Sequence, residues 1–394
     1  YGLAQEAQEL ARKGAAWALR AAKAHDPRGE AAFVAGSLGP TSKSLSLTGG
    51  VSFEEMADGY EAGVLGLMDG GADVLLLETA MDAINLKAAF SGMDRAFNRR
   101  GELLPVMVSV TLEPNGRLLG GQTVEAALSA FAHRPLLSFG INCSTGPDKM
   151  REPVQALAAH APFAVSCHPN AGLPDEEGRY TLSPQGLALE MKGFAEKGWV
   201  DIVGGCCGTT PHHIRALAET LDGVAPRRRR TGAEKDAKEG EGAYGGWKET
   251  VLSGMDPLEL VSSDGPYFIG ERTNVLGSRR FKRLIREERF DEAVDLGREQ
   301  VAAGAHLLDV CLQDPDGDEP RDMAALLDVL ANRVRVPLVV DSTDPQVVEV
   351  AAKRLGGKSL VNSVNLEDGG RRLGEVAELA RRYGMAVIFG CIQP

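Results

Sequence analysis

Apolar runs of strand length recur along the first half of the chain at intervals of 27 to 40 residues. Amphipathic stretches of helical length, such as residues 53–68 and 184–197, lie between them. This alternation predicts right-handed βαβ units around a parallel sheet. The runs are almost continuously apolar, which is typical of strands in a sheet that helices cover on both faces or of strands in a barrel that helices surround. They begin near Phe33, Asp73, Pro105, Leu136, Phe163 and Val200.

Residues 223–262 interrupt this pattern and predict an interdomain linker. The segment opens with four arginines at residues 227–230, and a charged, glycine-rich stretch follows. A nucleic-acid-binding tail is the alternative, but acidic residues follow the arginines at once and favour the linker. The predicted division is therefore 1–222, 223–262 and 263–394.

The strand pattern then restarts, giving five further units after the six of the first half. A (β/α)8 barrel needs eight such units. The pattern therefore indicates an α/β protein with either two incomplete barrels of the TIM type or two open sheets. The second set of runs begins near Tyr267, His306, Val336, Ser359 and Ala386.

Composition narrows the class of protein. Lysine and arginine number 43 against 55 aspartate and glutamate residues, which leaves a formal charge of −12 among 394 residues. Nucleic acids and anionic membranes require concentrated positive charge, so neither is an expected partner. No apolar stretch is long enough to span a bilayer. Six cysteines in a chain of this length do not form a disulfide scaffold, so we expect a reducing, cytoplasmic location.

Three cysteines end predicted strands of the first half: Cys143 closes one apolar run, and Cys206 and Cys207 close another. Carboxyl ends of parallel strands share one rim, so the three thiols can converge there. Zinc favours such ligands, and three of them leave a fourth position open for a substrate thiol. The alternative is three small buried residues of a core.

Other candidate ligands lie nearby but are disfavoured. His212 and His213 follow Thr210 and Pro211, which predict the first residues of a helix rather than a metal site. Cys167 also ends a strand, beside His168, but three thiolates already suffice for a catalytic zinc.

Three motifs carry a specific resemblance: GINCS (residues 140–144), PNAGLP (169–174) and GGCCGTTP (204–211). Together with GSLGP (36–40) and LLLETAMD (75–82), they resemble the homocysteine-binding zinc domain of cobalamin-dependent methionine synthases and other homocysteine methyltransferases. The resemblance implies that Cys143, Cys206 and Cys207 bind zinc. It also implies that Glu78 binds the homocysteine ammonium, although a carboxylate at the start of the next helix is the alternative.

Motifs of that family's first two strands, Asp-Gly-Ala-Met-Gly-Thr and Asn-Thr-Phe, are absent. We therefore expect the first barrel to lack its first two strands and its homocysteine site to be incomplete.

Polar residues also end the strands of the second half: Glu271 and Asn274, then Asp309, Asp341 and Asn362. Carboxylate and amide groups suit a ligand edge rich in N–H donors, such as a pterin. Part of the segment 341–344 also predicts a helix cap before Pro345.

The segments FIGERTN (268–274), LVVDST (338–343) and LVNSVN (360–365) resemble the pterin-binding domain of the same synthases. This implies that Asp341 and Asn362 hold the pterin, with Glu271, Asn274 and Asp309 nearby. We expect the later strands of this barrel to be missing. Gly356 and Gly357 predict a helix C-cap rather than a phosphate loop.

The order of the two domains resembles the amino-terminal half of cobalamin-dependent methionine synthases. The implied reaction moves a methyl group from methyltetrahydrofolate through cob(I)alamin and methylcobalamin to a zinc-bound homocysteine thiolate, giving methionine and tetrahydrofolate. Asn362 or a water network would assist at the pterin nitrogen N5. The Asp-x-His-x-x-Gly motif of corrinoid-binding domains is absent, so a cobalamin-binding domain is expected beyond Pro394 or on another chain.

Two other functions remain open at this point. One is a zinc-dependent homocysteine S-methyltransferase that uses a sulfonium or betaine donor and has a regulatory second barrel. The other is a non-enzymatic protein that buffers zinc or thiols.

Overall fold

Strands and helices alternate through both halves of the chain, as the apolar pattern predicts. The computed structural model describes residues 4–26, 32–227, 247 and 249–391. It contains one parallel sheet of six strands and one of five, joined by a small antiparallel hairpin. Strand order in each parallel sheet is sequential, without the reversal of a doubly wound open sheet. The predicted α/β class is confirmed, and the two sheets are consistent with two incomplete TIM-type barrels.

The first domain consists of the six-stranded sheet and its helices. Its strands are Ala35–Leu38 (β1), Val74–Ala80 (β2), Val106–Val110 (β3), Ser138–Asn142 (β4), Ala164–His168 (β5) and Ile202–Val203 (β6). Its helices are Ala7–Ala24 (α1), Phe53–Asp69 (α2), Ala83–Arg100 (α3), Val124–Phe131 (α4), Pro147–His160 (α5), Pro184–Glu196 (α6) and Pro211–Leu221 (α7).

Local sequence explains where these elements begin. Ser52 and Glu55 form a capping box at the start of α2, and Asp82 accepts a hydrogen bond from the Ile84 amide at the start of α3. Every residue of β3 and β4 is buried, because helices cover one face of the sheet and core side chains cover the other.

The second domain consists of the five-stranded sheet and its helices. Its strands are Ile269–Gly270 (β9), Leu307–Val310 (β10), Leu338–Asp341 (β11), Leu360–Val364 (β12) and Ala386–Phe389 (β13). Its helices are Arg279–Arg286 (α8), Phe290–Ala302 (α9), Glu319–Leu330 (α10), Pro345–Ala352 (α11) and Arg371–Tyr383 (α12). Asp344 caps α11 by accepting a hydrogen bond from the Gln346 amide, so Asp341 does not serve as the helix cap.

Part of the predicted linker is an ordered hairpin. Thr250–Ser253 (β7) pairs with Pro257–Leu260 (β8), and Leu252 is fully buried against β10 and β11. Residues 228–246 and 248, which include three of the four arginines, lie outside the described residues. Arg227 is described, and it is buried with its guanidinium donating to the carbonyls of Ala158, Ala161 and Phe163.

The glycine pair at 356–357 serves this hairpin rather than a helix end. The C-cap of α11 is Lys353, so the predicted C-cap at Gly356–Gly357 is wrong. A Cβ on Gly357 would collide with the Ser253 carbonyl, because the hairpin backbone lies directly against it. At the same contact, the Ser253 amide donates a hydrogen bond to the Lys358 carbonyl at 2.9 Å.

The two domains are in direct contact. Residues of α2 and α3, such as Phe53 and Ile84, belong to the same hydrophobic cluster as residues of the second domain. Lys87 in α3 is buried and donates to the Leu355 carbonyl at 2.6 Å and to the Gly357 carbonyl at 3.3 Å. Burial lowers the pKa of Lys87 to about 7. Asn332 donates to the Ser46 carbonyl across the same boundary.

Candidate metal centre and pterin site

The three cysteines at strand ends of the first domain come together. Cys143 follows β4, and Cys206 and Cys207 follow β6. Their sulfur atoms all lie within 4.8 Å of one another. The distance is 3.7 Å between Cys143 and Cys207, and 4.0 Å between Cys206 and Cys207. They are free thiols.

This donor set fits a zinc ion. Sulfur ligands about 2.3 Å from a tetrahedral zinc lie about 3.8 Å apart, close to the observed separations. Three thiols leave one position for a further ligand, which is the arrangement of a catalytic rather than a structural site. Burial, and then the neighbouring Cys143 and Cys207, raises the pKa of Cys206 to about 12. A cation between the sulfurs would offset this cost of ionising them.

The loop at residues 169–172 holds the Cys206–Cys207 pair in place. The Cys206 amide donates to the Pro169 carbonyl at 2.8 Å, and the Cys207 amide donates to the Asn170 side-chain oxygen at 3.0 Å. The Cys143 amide donates to the His168 carbonyl at 3.1 Å. Cys143 has a φ of 62°, a left-handed conformation that non-glycine residues rarely adopt. Strain of this kind is commonest at functional sites.

The other candidate ligands lie outside the cluster. His213 is buried, and its ring contacts Thr210 and the Leu182 carbonyl, so it stabilises the start of α7. His212 is exposed on the first turn of that helix. Cys167 is fully buried beside Met150, with its sulfur 3.8 Å from the thioether.

Glu78 lies in β2 and not at a helix N-terminus, because α3 begins at Ala83 with Asp82 as its cap. The Ser37 hydroxyl donates to its carboxylate. A cavity of about 300 Å³ that Glu78 lines lies beside it, with Tyr60 and Asn85 also in the wall. Burial lowers the pKa of His168, and the charge of Glu78 opposes that shift. A carboxylate in the wall of a cavity can pair with a cationic group that enters it.

The strand-end residues of the second domain form one polar rim. The Asn274 amide donates to Asp309 at 3.0 Å, and the Asn362 amide donates to Asp341 at 3.3 Å. Burial raises the pKa of Asp309 to about 6, and the charges of Asp341 and Glu271 act in the same direction. Burial also raises the pKa of Asp341. Carboxyl groups that are partly buried in this way suit a ligand that supplies N–H donors.

Three residues near the thiols were not singled out from the sequence. Asn142 donates to Cys206, Asn170 accepts from the Cys207 amide, and Tyr180 lies close to Cys207. The Tyr180 ring lies against Gly208, where a Cβ would collide with it. The sequence carried a signal for Asn142 alone, because this polar residue stands directly before Cys143 in an apolar run.

Comparison with known proteins assigns the family. Residues 1–221, more than half of the chain, match the family described as homocysteine S-methyltransferase. The chain belongs to the homocysteine S-methyltransferase family. This family member also carries a second match, at residues 270–394, to the family described as pterin binding enzyme. The expectation of a methyltransferase-family protein is thereby confirmed.

Known relatives of the chain include the methionine synthase of Mycobacterium leprae. It is 36% identical over 98% of this chain, and the chain spans 32% of that relative's length. Crystal structures of the homocysteine methyltransferase MmuM from Escherichia coli are also similar. The apo form is 25% identical with a TM-score of 0.45, covering 56% of this chain and 77% of that one. The metallated form is 23% identical with a TM-score of 0.43, covering 54% and 70%.

Among the described helices, none combines the length and the apolar character that crossing a membrane requires.

Proposed function

We propose that the protein methylates homocysteine to methionine with methyltetrahydrofolate as donor and with cobalamin, held by a domain beyond Pro394 or on another chain, as methyl carrier. The observation that carries this proposal is the convergence of three thiols on one rim, in a chain whose other half matches pterin binding enzymes. The similarity to a methionine synthase supports the combination of the two.

In the first domain, Cys143, Cys206 and Cys207 would hold zinc. Zinc held there would supply the positive charge that lets the homocysteine thiol lose its proton at neutral pH. Glu78 would bind the substrate ammonium through a charge-assisted hydrogen bond, with Ser37 orienting the carboxylate. These two contacts would fix both ends of the amino acid.

In the second domain, Asp341 and Asn362 would bind the pterin edge, with Glu271, Asn274 and Asp309 beside them. Asn274 already uses one amide hydrogen on Asp309, which fixes that carboxylate's orientation. Asn362 would hydrogen-bond the ring nitrogen N5, whose methyl group departs more readily when the nitrogen is protonated or hydrogen-bonded.

The proposal assigns residues 1–222 to homocysteine, residues 263–394 to the folate, and residues 223–262 to their connection. It also implies a cytoplasmic protein, because free thiols at an open rim persist in a reducing compartment.

The test is an anaerobic incubation of the full-length protein with methylcobalamin and homocysteine, followed by visible spectroscopy and methionine analysis. We expect methylcobalamin to be consumed as methionine forms, and a Cys206→Ala variant to be inactive. Methyltetrahydrofolate should then restore the methylated corrinoid in the wild type, and an Asp341→Asn variant should fail at that step alone.

The competing outcomes are distinct. Methionine formed from a sulfonium or betaine donor, with no change in the corrinoid spectrum, would contradict the cobalamin assignment and favour a homocysteine S-methyltransferase with another donor. Zinc bound without any methyl transfer would favour a zinc- or thiol-buffering protein.

A further inference from the structure

Asn142 is the last residue of β4, directly before Cys143, and only 2% of it is exposed. Its side chain lies within the carboxyl end of the first sheet, between β2, β3 and the end of β6. An amide buried to this degree must have its hydrogen-bonding groups satisfied, or it would destabilise the fold.

All four hydrogen-bonding positions of this amide have partners. The side-chain oxygen accepts from the Thr79 backbone amide at 3.0 Å and from the Ser109 hydroxyl at 2.7 Å. The side-chain nitrogen donates to the Thr79 hydroxyl at 2.8 Å and to the Cys206 sulfur at 3.8 Å. Because the Thr79 amide can only donate, the oxygen must face it, and the NH2 group must face the sulfur.

The two ends of this amide contact the two halves of the candidate site. Thr79 follows Glu78 and has a φ of 54°, where β2 shifts register between Leu77 and Ala80. Two hydrogen bonds with Asn142, one donated by the Thr79 amide and one accepted by the Thr79 hydroxyl, hold that left-handed residue, and with it the direction of the Glu78 side chain. The remaining N–H is aimed at Cys206, where it would stabilise negative charge on the sulfur.

We propose that Asn142 is a positioning residue that couples the placement of the Cys206 sulfur to the placement of the Glu78 carboxylate. The inference rests on the proposed function and deepens it. One buried amide would set the charge on a metal-binding sulfur and the position of the ammonium-binding carboxylate together. Asn142 can do so because it is the last residue of β4, where its side chain reaches β2, β3 and the segment that follows β6.

The test replaces Asn142 with Asp in the full-length protein. The carboxylate has the same shape and keeps the contacts to the Thr79 amide and the Ser109 hydroxyl, but it places an oxygen instead of an N–H beside Cys206. Metal affinity is measured by competition with a chromophoric chelator, and the sulfur-to-cobalt charge-transfer band is recorded after loading with Co²⁺. Binding of homocysteine and of 4-mercaptobutanoate, which lacks the amino group, is then followed through the cobalt spectrum.

We expect Asn142→Asp to lower metal affinity by about tenfold to a hundredfold, the usual effect of losing an outer partner of a metal ligand. The charge-transfer band should move to longer wavelength, because the sulfur loses its N–H donor. The preference for homocysteine over 4-mercaptobutanoate should also shrink. Asn332→Asp is the matched control: it makes the same change at an amide that contacts Ser46 at the domain boundary, and should leave all three measurements unchanged.

Thr79→Val is the second variant, in case Asn142→Asp does not fold. It removes one acceptor of the Asn142 NH2 group and contacts no thiol. We expect a smaller movement of the charge-transfer band and a weaker preference for homocysteine. Variants that match the wild type in both, with only a lower melting temperature, would overturn the inference and leave Asn142 a structural residue. A wild-type protein that takes up no metal would overturn the proposed function and this inference together.

Discussion

The carboxyl-end rims of the two sheets share a backbone architecture but carry opposite kinds of donor. The first rim presents three thiols, and burial makes at least one of them, Cys206, hard to ionise. The second presents carboxyls and amides, and burial raises the pKa of Asp309 to about 6. Burial raises the pKa of acidic groups on both rims. The thiols of the first rim then require a cation, whereas the carboxyls of the second rim require a ligand with N–H groups.

The comparison shows that the chemistry resides in the residues that end the strands. Parallel strands deliver those residues to one edge whatever their type. A fold of this kind therefore leaves function to be argued from the site. If the donor sets decide the functions of the two rims, a substitution on one rim should leave the function of the other unchanged.

The largest expected effect is the loss of zinc binding in Cys206→Ala, because two thiols cannot replace three. Cys167→Ala is the matched control: Cys167 is the second-last residue of β5 but lies fully buried beside Met150 and away from the cluster. It should retain zinc and lose only about 1 kcal/mol of stability. Metal content of the purified proteins decides between these outcomes, and equal loss of zinc in both would remove the distinction between the cluster and the core.

Next in size is the effect of Asp341→Asn on folate binding. Hydrogen bonds to charged groups contribute about 1.5–3 kcal/mol, so affinity for tetrahydrofolate should fall by about tenfold to a hundredfold. Asp344→Asn is the control, since asparagine caps a helix as well as aspartate does and α11 should be unaffected. Calorimetric titration measures both. Zinc content should not change in either variant, and a change would show that the two rims are not independent.

Glu78→Gln should have a smaller and more selective effect. The amide keeps the shape of the side chain but removes the charge that would pair with an ammonium, so homocysteine should bind about tenfold more weakly. A thiol without an amino group should bind as it does to the wild type. If both thiols lose affinity equally, Glu78 acts on the metal site rather than on the substrate.

The smallest expected effect is a pH dependence of stability at the second rim. The pKa of Asp309 is raised to about 6 in the folded protein, so the folded state keeps a proton that the unfolded chain releases near pH 4. The stability that the neutral carboxyl contributes is complete below about pH 4 and is lost as the pH rises to about 6. Denaturant unfolding of the wild type and Asp309→Asn across this range should therefore show the wild type losing stability relative to the variant. A constant difference would contradict the raised pKa.

The positions of the strands could be predicted from sequence because each is a long apolar run that ends in polar residues. All eleven predicted parallel strands are present, and α2 and α6 begin at the predicted residues. The sequential order that separates barrels from open sheets could not be predicted, because it depends on which strands pair. The hairpin at 250–260 was also missed, since its burial depends on Leu252 meeting the end of another sheet.

The residues of the candidate site were also predicted only in part from the sequence. The three cysteines were found because each ends an apolar run. Asn170 and Tyr180 were missed because their contacts with the cysteine pair join residues distant in sequence or across a loop. Gly357 was misread for a related reason: its need for a small side chain comes from the Ser253 backbone, 104 residues earlier.

The shared hydrophobic cluster has a consequence for how the protein melts and how it can be divided. Apolar side chains of α2 and α3 complete the packing of the second domain, so each domain supplies part of the other's free energy of folding. Heating should then give one calorimetric transition rather than two. Cutting the chain between the domains would expose the faces that carry Phe53 and Met56, and isolated halves would tend to aggregate through them.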